Sequence, residues 1–356
     1  MNIFQLMKTT NNNEVVFFEE PLVNLKMVMA INDTTLGPAL TNIRMESADN
    51  MEESIKKTLK LAYYNTYRSA LLHKNFGGAG ISIINDSKVE KNEIFLRAIG
   101  IIINKLNGNI FLLRSSDFSH KQMLDISRET KYLLGVDENY ITSGNSPVEV
   151  LTRGMMQGMK ALANKYLGQN TLKGLTFAVQ GLGQIGSKVV EELLKIEDTK
   201  LIITDVVYDK IKIIQDKSSN VQVVKAQEIY NPKCHFFVSC AHDNIIEKEN
   251  IQQLNCKILT GSANEIIANE ELENELSAKG IVYVPGFIIN GGDIISANDE
   301  MKCHNYEVIE KHLSEIYDVV TELCELAEIN KQSLKQTAFE VANKYIENIA
   351  KIKRLK

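Results

Sequence analysis

The segment from Leu175 to Ile196 constrains the fold of this chain more than any other. It begins with the apolar run Leu175–Gln180, continues with the glycine pattern G-L-G-Q-I-G at Gly181–Gly186, and then opens the helical stretch Ser187–Ile196. A strand, a tight glycine turn and a helix in this order are typical of a βαβ unit that holds a pyrophosphate at the helix N-terminus. The segment therefore predicts a dinucleotide-binding domain.

Each glycine of this pattern has a physical role. Gly181 permits the tight turn, Gly183 lets the backbone approach a pyrophosphate, and Gly186 lets the helix pack close to the strand. Gln184 and Ile185 lie between these glycines and complete the predicted cofactor loop. The alternative, a structural glycine turn that binds no cofactor, stays open at this point.

An acidic residue follows the next predicted strand. Asp205 lies about 20 residues beyond the glycine pattern, where a carboxylate can accept hydrogen bonds from the hydroxyls of an adenine ribose. A 2′-phosphate at this place would meet a like charge, so the sequence favours NAD(H) over NADP(H). Lys210, a helical turn later, could relax that preference.

The chain is long enough for two domains, since 356 residues exceed the size at which one hydrophobic core stops growing. After Leu175, short strands alternate with helices, which predicts an α/β domain with a doubly wound parallel sheet. We expect an N-terminal α/β domain for substrate binding and oligomerisation at 1–147, a Rossmann-type NAD-binding domain at 148–310, and C-terminal helices that pack back at 311–356. The strands predicted in the second domain are 175–180, 201–204, 221–224, 235–239, 257–259 and 281–284.

The first domain shows a similar mixture of strand and helix periodicity. A glycine-rich turn is predicted at 75–80 and a loop at 143–147. After Asn298 we expect helix to the end of the chain. The predicted strands are 15–18, 25–31, 81–84 and 110–113, and the predicted helices are 51–69, 91–106, 121–134 and 148–166.

Composition excludes several classes of protein. The hydrophobic fraction is 44% and the net charge is −5, so we expect neither a disordered chain nor a nucleic-acid partner. No apolar run is long enough to cross a bilayer and no leader peptide is recognisable, which predicts a cytoplasmic protein without a membrane partner. The cysteines are irregularly spaced, so we expect reduced thiols and no metal site, and we attribute the Cys303–His304 dipeptide to chance.

Ordered motifs occur in both domains, at Ala30–Leu40, Arg44–Met45, Gly77–Ala79, Gly261–Asn264, Val284–Pro285 and Ile289–Gly292. Together they resemble the Glu/Leu/Phe/Val dehydrogenase family, and most of all its leucine dehydrogenases. The resemblance extends over about residues 12 to 330 and is specific, because the motifs fall in the same order in both domains.

The resemblance implies reversible, NAD-linked oxidative deamination of an L-amino acid in a cleft between two domains, within a homo-oligomer that is a dimer or larger. It places Asn264 near the nicotinamide ribose and Ala241 in the loop that lines the cofactor. It also implies that Asn290 contacts the amino or carboxylate group of the substrate. As an alternative, Asn264 and Asn290 are turn residues that follow strands.

The catalytic positions of the family are changed in this sequence. The family's Gly-Gly-Ala-Lys motif reads Gly77–Gly80, so Gly80 stands where the resemblance implies a lysine that activates water or polarises the keto oxygen. The family's catalytic aspartate, which belongs to a Glu-Asp pair, matches Ser115 in the pair Arg114–Ser115. Two catalytic groups are therefore missing together.

Neighbouring residues could supply the missing acid–base chemistry. Lys74 and Asp117 are the candidate substitutes, since they lie within a few residues of the changed positions and have suitable side chains. His73 and His120 meet the same conditions. Each of these residue types is more often found on the surface, so compensation is only an alternative.

Substrate binding is partly retained. The family's second lysine, which clamps the substrate carboxylate, matches Arg68, and a guanidinium can hold a carboxylate in a bidentate pair. Alternatively, Arg68 only caps the exposed end of its helix. The family's Gly-Gly-Thr triplet reads Thr41–Ile43, and a family hydroxyl is displaced, with Leu151 at its place and Thr152 beside it. Substrate specificity therefore cannot be transferred from the family.

Three interpretations remain open. The first is a redox enzyme with altered chemistry, such as imine reduction, which needs a cofactor and orientation more than a lysine. The second is an amino-acid dehydrogenase with relocated catalytic residues. The third is a non-catalytic homologue that binds a dinucleotide and has a regulatory or structural role.

Overall fold

The fold is described from a computed structural model that covers residues 2–47, 50–85, 90–138, 145–218, 220–302 and 308–355. The chain divides into two compact units. Unit 1 comprises Met1–Pro147, Ile294–Glu307 and Glu340–Lys356, and unit 2 comprises Val148–Asp293 and Val308–Phe339.

Unit 1 is built on a mixed sheet. The strand order is β1-β2-β5-β3-β6-β7, with β4 also paired to β5; the β1–β2 and β2–β5 pairs are antiparallel and the others are parallel. The helices α3 and α4 pack on one core of this sheet, and α2 packs on a second. The elements are α1 (Ile3–Thr9), β1 (Glu14–Glu20), β2 (Leu25–Asp33), β3 (Ala39–Thr41), β4 (Ile43–Ser47), α2 (Met51–Leu71), β5 (Gly77–Asn85), α3 (Glu93–Lys105), β6 (Ile110–Leu113), α4 (His120–Ser127) and β7 (Leu133–Leu134).

Unit 2 is built on a parallel sheet with the strand order β10-β9-β8-β11-β12-β13. The order reverses between β8 and β11, which is the topological switch point where Rossmann-type sheets bind nucleotides. The predicted two-domain α/β fold is confirmed. The remaining elements are α5 (Pro147–Leu167), β8 (Thr176–Gln180), α6 (Gln184–Leu194), β9 (Lys200–Thr204), α7 (Tyr208–Lys217), β10 (Val221–Val223), β11 (Phe236–Ser239), β12 (Ile258–Gly261), α8 (Glu271–Ala278), β13 (Val282–Tyr283), α9 (Gly286–Ile289), α10 (Gly292–Lys302), α11 (Ile309–Asn330) and α12 (Leu334–Lys353).

The glycine-rich turn predicted at 75–80 is wrong for its last four residues. Gly77–Gly80 begins the strand β5, which pairs with β2 and β3. Glycine is normally a turn signal, but here it lets a helix approach a strand. A Cβ atom at Gly78 would lie 2.2 Å from the carbonyl oxygen of Ala62, and one at Gly80 would lie 2.1 Å from that of Thr58. Both carbonyls belong to α2, whose backbone therefore rests directly on β5.

Two helix predictions also need correction. The helix predicted at 121–134 ends at Ser127, because Leu133–Leu134 pairs with β6 as the short strand β7. A strand of this length is too short for periodicity to detect. The helix predicted from Asn298 to the end is interrupted, since Lys331 has a left-handed φ of 53° that separates α11 from α12. Of the loop predicted at 143–147, residues 143 and 144 lie outside the described residues.

The helices in the described part of the chain include none with the length and apolar character required to span a membrane. Four cysteines there are free thiols: Cys234, Cys240, Cys256 and Cys324. The Cys303–His304 dipeptide lies outside the described residues.

Candidate functional site

The glycine loop of unit 2 joins β8 to α6. Gly181 has a left-handed φ of +91°, and a Cβ atom there would lie 2.9 Å from the amide nitrogen of Ala241. A Cβ atom at Gly186 would lie 1.9 Å from the carbonyl oxygen of Gly181. Gly183 is the N-cap of α6, and within the described ranges no atom lies within 4 Å of its Cβ position. Gly181 and Gly186 therefore shape the loop, whereas Gly183 leaves an open approach to the helix N-terminus.

The carboxylate of Asp205, directly after β9, turns back onto this loop. Its Oδ2 accepts a hydrogen bond from the amide of Leu182 at 2.6 Å, and its Oδ1 accepts one from the amide of Val207 at 2.8 Å. Lys210 Nζ lies 3.8 Å from Oδ2, and the Asp205 side chain is 6% exposed. A carboxylate offers about four acceptor sites, so two hydrogen bonds leave capacity for ribose hydroxyls. Asp205 thus couples the glycine loop to the place predicted for the ribose.

The loops after β11 and β12 lie at the same carboxyl edge of the sheet. Cys240 follows β11 and its amide donates to the carbonyl of Gln180, at the end of β8. Burial raises the pKa of the Cys240 thiol to about 11, so it stays protonated at neutral pH. Ala241, the next residue, is exposed beside Gly181. The predicted cofactor residues Gly181 and Ala241 are therefore close together.

The two predicted amides, Asn264 and Asn290, are neighbours in unit 2. The side-chain nitrogen of Asn290 donates to the carbonyl of Ser262 at 2.9 Å and lies 3.4 Å from Oδ1 of Asn264. Both residues are buried. These contacts hold the loop after β12 to the C-terminal end of α9, which an isolated turn residue would not do.

Arg68 lies in the last turn of α2, and its guanidinium donates from Nη2 to Oδ1 of Asn65. Asn65 in turn donates to the carbonyls of Ala79, at 2.8 Å, and Leu40, at 3.2 Å. Arg68 is only 6% exposed, so it does not lie at the exposed helix end that the capping alternative assumes. Asn65 was not singled out in the sequence, although it stands one helical turn before Arg68 on the same face.

Gly80 faces α2, and the space that a side chain would need is taken by the helix backbone. Besides the close approach to the carbonyl oxygen of Thr58, the helix is fixed by a buried hydrogen bond of 2.7 Å from Thr58 Oγ1 to Ser82 Oγ. A lysine at position 80 therefore requires α2 to move away from β5.

The side chains of Ser115 and Asp117 both form hydrogen bonds with the backbone of β4. Ser115 is buried, and its Oγ donates to the carbonyl of Ile43. Asp117 is exposed, and its Oδ2 accepts from the amide of Met45 at 2.8 Å. Ile43 and Met45 are two residues apart in β4, and Ser115 and Asp117 are also two residues apart. The two side chains therefore make the hydrogen bonds to β4 that the backbone of a neighbouring strand would make.

The other candidate substitutes have different surroundings. Lys74 is half-buried, and its amide donates to the carbonyl of Ser69 at the end of α2. His73 is exposed and stacks on Tyr345, with ring centroids 4.4 Å apart. His120 begins α4, and its Nδ1 is buried without a hydrogen-bond partner among the described residues.

The hydroxyl expected early in α5 is buried. Thr152 is fully buried, and its Oγ1 has no hydrogen-bond partner in the described part of the chain. Leu151 lies near the start of α10, since a Cβ atom at Gly292 would lie 2.8 Å from the Cα atom of Leu151. As for metals, the ranges that the structure describes contain no group of three His, Cys, Asp or Glu side chains that could hold an ion.

Comparison with known proteins decides the family. Residues 18–131 match the model of the Glu/Leu/Phe/Val dehydrogenase dimerisation domain, and residues 190–354 match that of Glutamate/Leucine/Phenylalanine/Valine dehydrogenase. The chain belongs to this family of NAD(P)-dependent amino-acid dehydrogenases. Unit 1 thus carries the family's dimerisation domain, and the glycine loop of unit 2 follows β8 of the parallel sheet.

Individual relatives match over nearly the whole chain. A phenylalanine dehydrogenase of Bacillus thermotolerans is 34% identical over 344 residues, which is 96% of this chain and 88% of the relative. A leucine dehydrogenase of Thermoactinomyces intermedius is 35% identical over 328 residues, which is 92% of this chain and 88% of the relative. The crystal structure of L-tryptophan dehydrogenase from Nostoc punctiforme matches with a TM-score of 0.77 and 29% identity, over 98% of this chain and 99% of that one. These relatives are all oxidoreductases that act on an amino acid.

Proposed function

We propose that this protein is an NAD(H)-dependent oxidoreductase that transfers hydride to or from an amino or imino acid without the family's catalytic lysine and aspartate. The observation that carries the proposal is a contrast between the two units. Unit 2 keeps an open glycine loop at Gly183 with Asp205 behind it. In unit 1, α2 fills the space at Gly80. This contrast supports a cofactor site that is kept in unit 2 and an acid–base site that is lost in unit 1.

The choice of NAD(H) rests on the surroundings of Asp205. A 2′-phosphate would meet its carboxylate, and the next residue, Val206, is 89% exposed and offers no positive charge. Lys210 is already paired with Asp205, which reduces its availability for a phosphate. The dinucleotide would supply the hydride, with its pyrophosphate at Gly181–Gly186 and further contacts from Ala241 and Asn264.

The substrate would bind through its carboxylate to Arg68. Burial and the hydrogen bond to Asn65 hold the guanidinium in one orientation, which favours bidentate recognition of a carboxylate. Asn290 would contact the substrate's amino or imino nitrogen or its carboxylate. The relatives named above act on leucine, phenylalanine and tryptophan, so an amino acid or the corresponding imino acid is the expected substrate class.

Imine reduction suits this set of residues. With NAD(H) bound, hydride would add to the carbon of a protonated C=N bond, and the π electrons would become the lone pair of a neutral amine. A protonated iminium is already electrophilic, so the step needs orientation more than general acid catalysis. Oxidative deamination also requires the addition of water and several proton transfers, for which Gly80 and Ser115 provide no titratable group.

A second candidate is a catalytically inactive homologue that binds a dinucleotide and acts as a regulatory or structural subunit. The observation in its favour is that Ser115 and Asp117 are both engaged with the backbone of β4. For the same reason we regard relocated catalysis through Asp117 as the weaker alternative. Because the chain contains the family's dimerisation domain, we propose a homo-oligomer, a dimer or larger, in either case.

The deciding experiment compares a preformed imine with the substrates of ordinary deamination. NADH oxidation is measured with a cyclic imino acid, and NADH formation is measured with leucine, valine and phenylalanine at alkaline pH. We expect turnover with the cyclic imine only, because general acid–base groups typically contribute about 10²- to 10⁴-fold each and two are missing. Rapid NADH formation from leucine would contradict the altered chemistry, and NADH binding without any turnover would favour the inactive homologue.

A further inference from the structure

Lys335 is a buried cation at an unfavourable place in a helix. It lies in the first turn of α12, where the partial positive charge of the helix dipole disfavours a lysine. The residue is only 8% exposed. A charge buried at such a position is costly unless specific partners offset the cost.

Two carboxylates provide those partners. Lys335 Nζ lies 3.2 Å from Oε1 of Glu265 and 3.3 Å from Oε1 of Glu270. Burial lowers the pKa of Lys335, but the two carboxylates outweigh this effect and raise it, so the lysine stays charged. Glu265 has an 18% exposed side chain, whereas that of Glu270 is 85% exposed. The contact with Glu265 is therefore the better shielded of the two.

Glu265 directly follows Asn264 in the loop after β12. Its amide donates to Oδ1 of Asp243 at 3.3 Å, and its carbonyl accepts from the amide of Asn244 at 3.0 Å. Asp243 and Asn244 belong to the loop after β11, which also carries Ala241. Glu265 thus connects the two loops that carry the proposed cofactor contacts, and Lys335 holds its side chain.

We propose that Lys335 is a positioning residue that orients the Asn264 loop for the dinucleotide by holding Glu265. The inference rests on the proposed function, since it requires NAD(H) at unit 2. Lys335 acts only through Glu265, whereas its contact with Glu270 secures the start of α8 and contributes to stability alone.

The test measures the Kd of NADH for the intact protein at 25 °C, together with the thermal midpoint of each variant. We expect Lys335→Met to raise the Kd about tenfold, which is within the range for residues that share a hydrogen-bond network. Lys335→Arg keeps the charge and should restore most of the affinity. Glu265→Gln should raise the Kd similarly, and its combination with Lys335→Met should add little more.

Glu270→Gln is the matched control, because it removes the other carboxylate of the same lysine outside the cofactor loops. A lowered thermal midpoint with an unchanged Kd is expected for it. If Lys335→Met lowers the midpoint but leaves the Kd unchanged, the lysine is merely structural and the inference is wrong, while the proposed function stands. If the unaltered protein binds no NADH, both proposals fail.

Discussion

The close packing of α2 on β5 makes Gly80→Ala a quantitative test of this structure. The added methyl group would lie 2.1 Å from the Thr58 carbonyl oxygen, so α2 must move away by about 1 Å to reach an ordinary contact. That movement would stretch the Thr58–Ser82 hydrogen bond of 2.7 Å and the Asn65–Ala79 hydrogen bond of 2.8 Å beyond good geometry.

The expected cost follows from these losses. Overpacking costs about 1 to 3 kcal/mol and each weakened hydrogen bond about 0.5 to 1.5 kcal/mol, while the lower entropy of the unfolded alanine chain returns about 0.4 to 1 kcal/mol. The net loss in the free energy of unfolding is about 3 kcal/mol. At about 2 to 4 °C per kcal/mol, the thermal midpoint should fall by about 6 to 12 °C.

Gly183→Ala is the matched control, because its φ of −70° suits any residue and no described atom lies within 4 Å of the new methyl group. Its stability should change by less than about 0.5 kcal/mol, but NADH binding should weaken at least about tenfold, since the methyl group would meet the pyrophosphate. Calorimetric unfolding and NADH titration of both variants provide the measurements. A Gly80→Ala protein as stable as the unaltered one would refute the packing argument.

Three further predictions test other sites. Asp205→Ala should weaken NADH more than NADPH in a binding titration, because it removes the proposed ribose acceptor, which a 2′-phosphate cannot use; equal losses would argue against this role. Arg68→Ala should abolish turnover or binding of a carboxylate ligand, at a cost of about 2 to 5 kcal/mol, with little change in NADH affinity; a carboxylate that binds both proteins equally would reject the clamp. His235 Nδ1 accepts a hydrogen bond from the Thr176 amide at 2.9 Å, and burial, with a contribution from Lys233, lowers its pKa. The stability that the neutral His235 side chain contributes is therefore complete above the unfolded pKa of about 6.5 and is lost as the pH falls below it. Urea unfolding between pH 5 and 7 should show this slope in the unaltered protein and not in His235→Asn, whose side-chain oxygen accepts without titrating; an identical slope in both would assign the effect to another group.

The sequence alone determined the fold class of unit 2 and the place of its glycine loop. Gly181–Gly186 between a strand and a helix, followed by Asp205 at a strand end, is a local pattern, and local patterns can be read without knowing the rest of the fold. The order of the predicted strands and helices after Leu175 also sufficed for the parallel sheet, because such sheets require alternating elements.

Only the tertiary structure decided the local conformation and packing around Gly80, Arg68 and Ser115 in unit 1. Gly77–Gly80 looks like a turn in the sequence, and it becomes a strand because the backbone of α2 packs where side chains would be. Likewise, Asn65, which holds Arg68, is itself fixed by the carbonyls of Leu40 and Ala79, and Ser115 engages the carbonyl of Ile43; these partners lie far away in the chain. A single sequence records neither how closely two backbones approach nor which distant carbonyl a side chain meets, because those are properties of packing between elements.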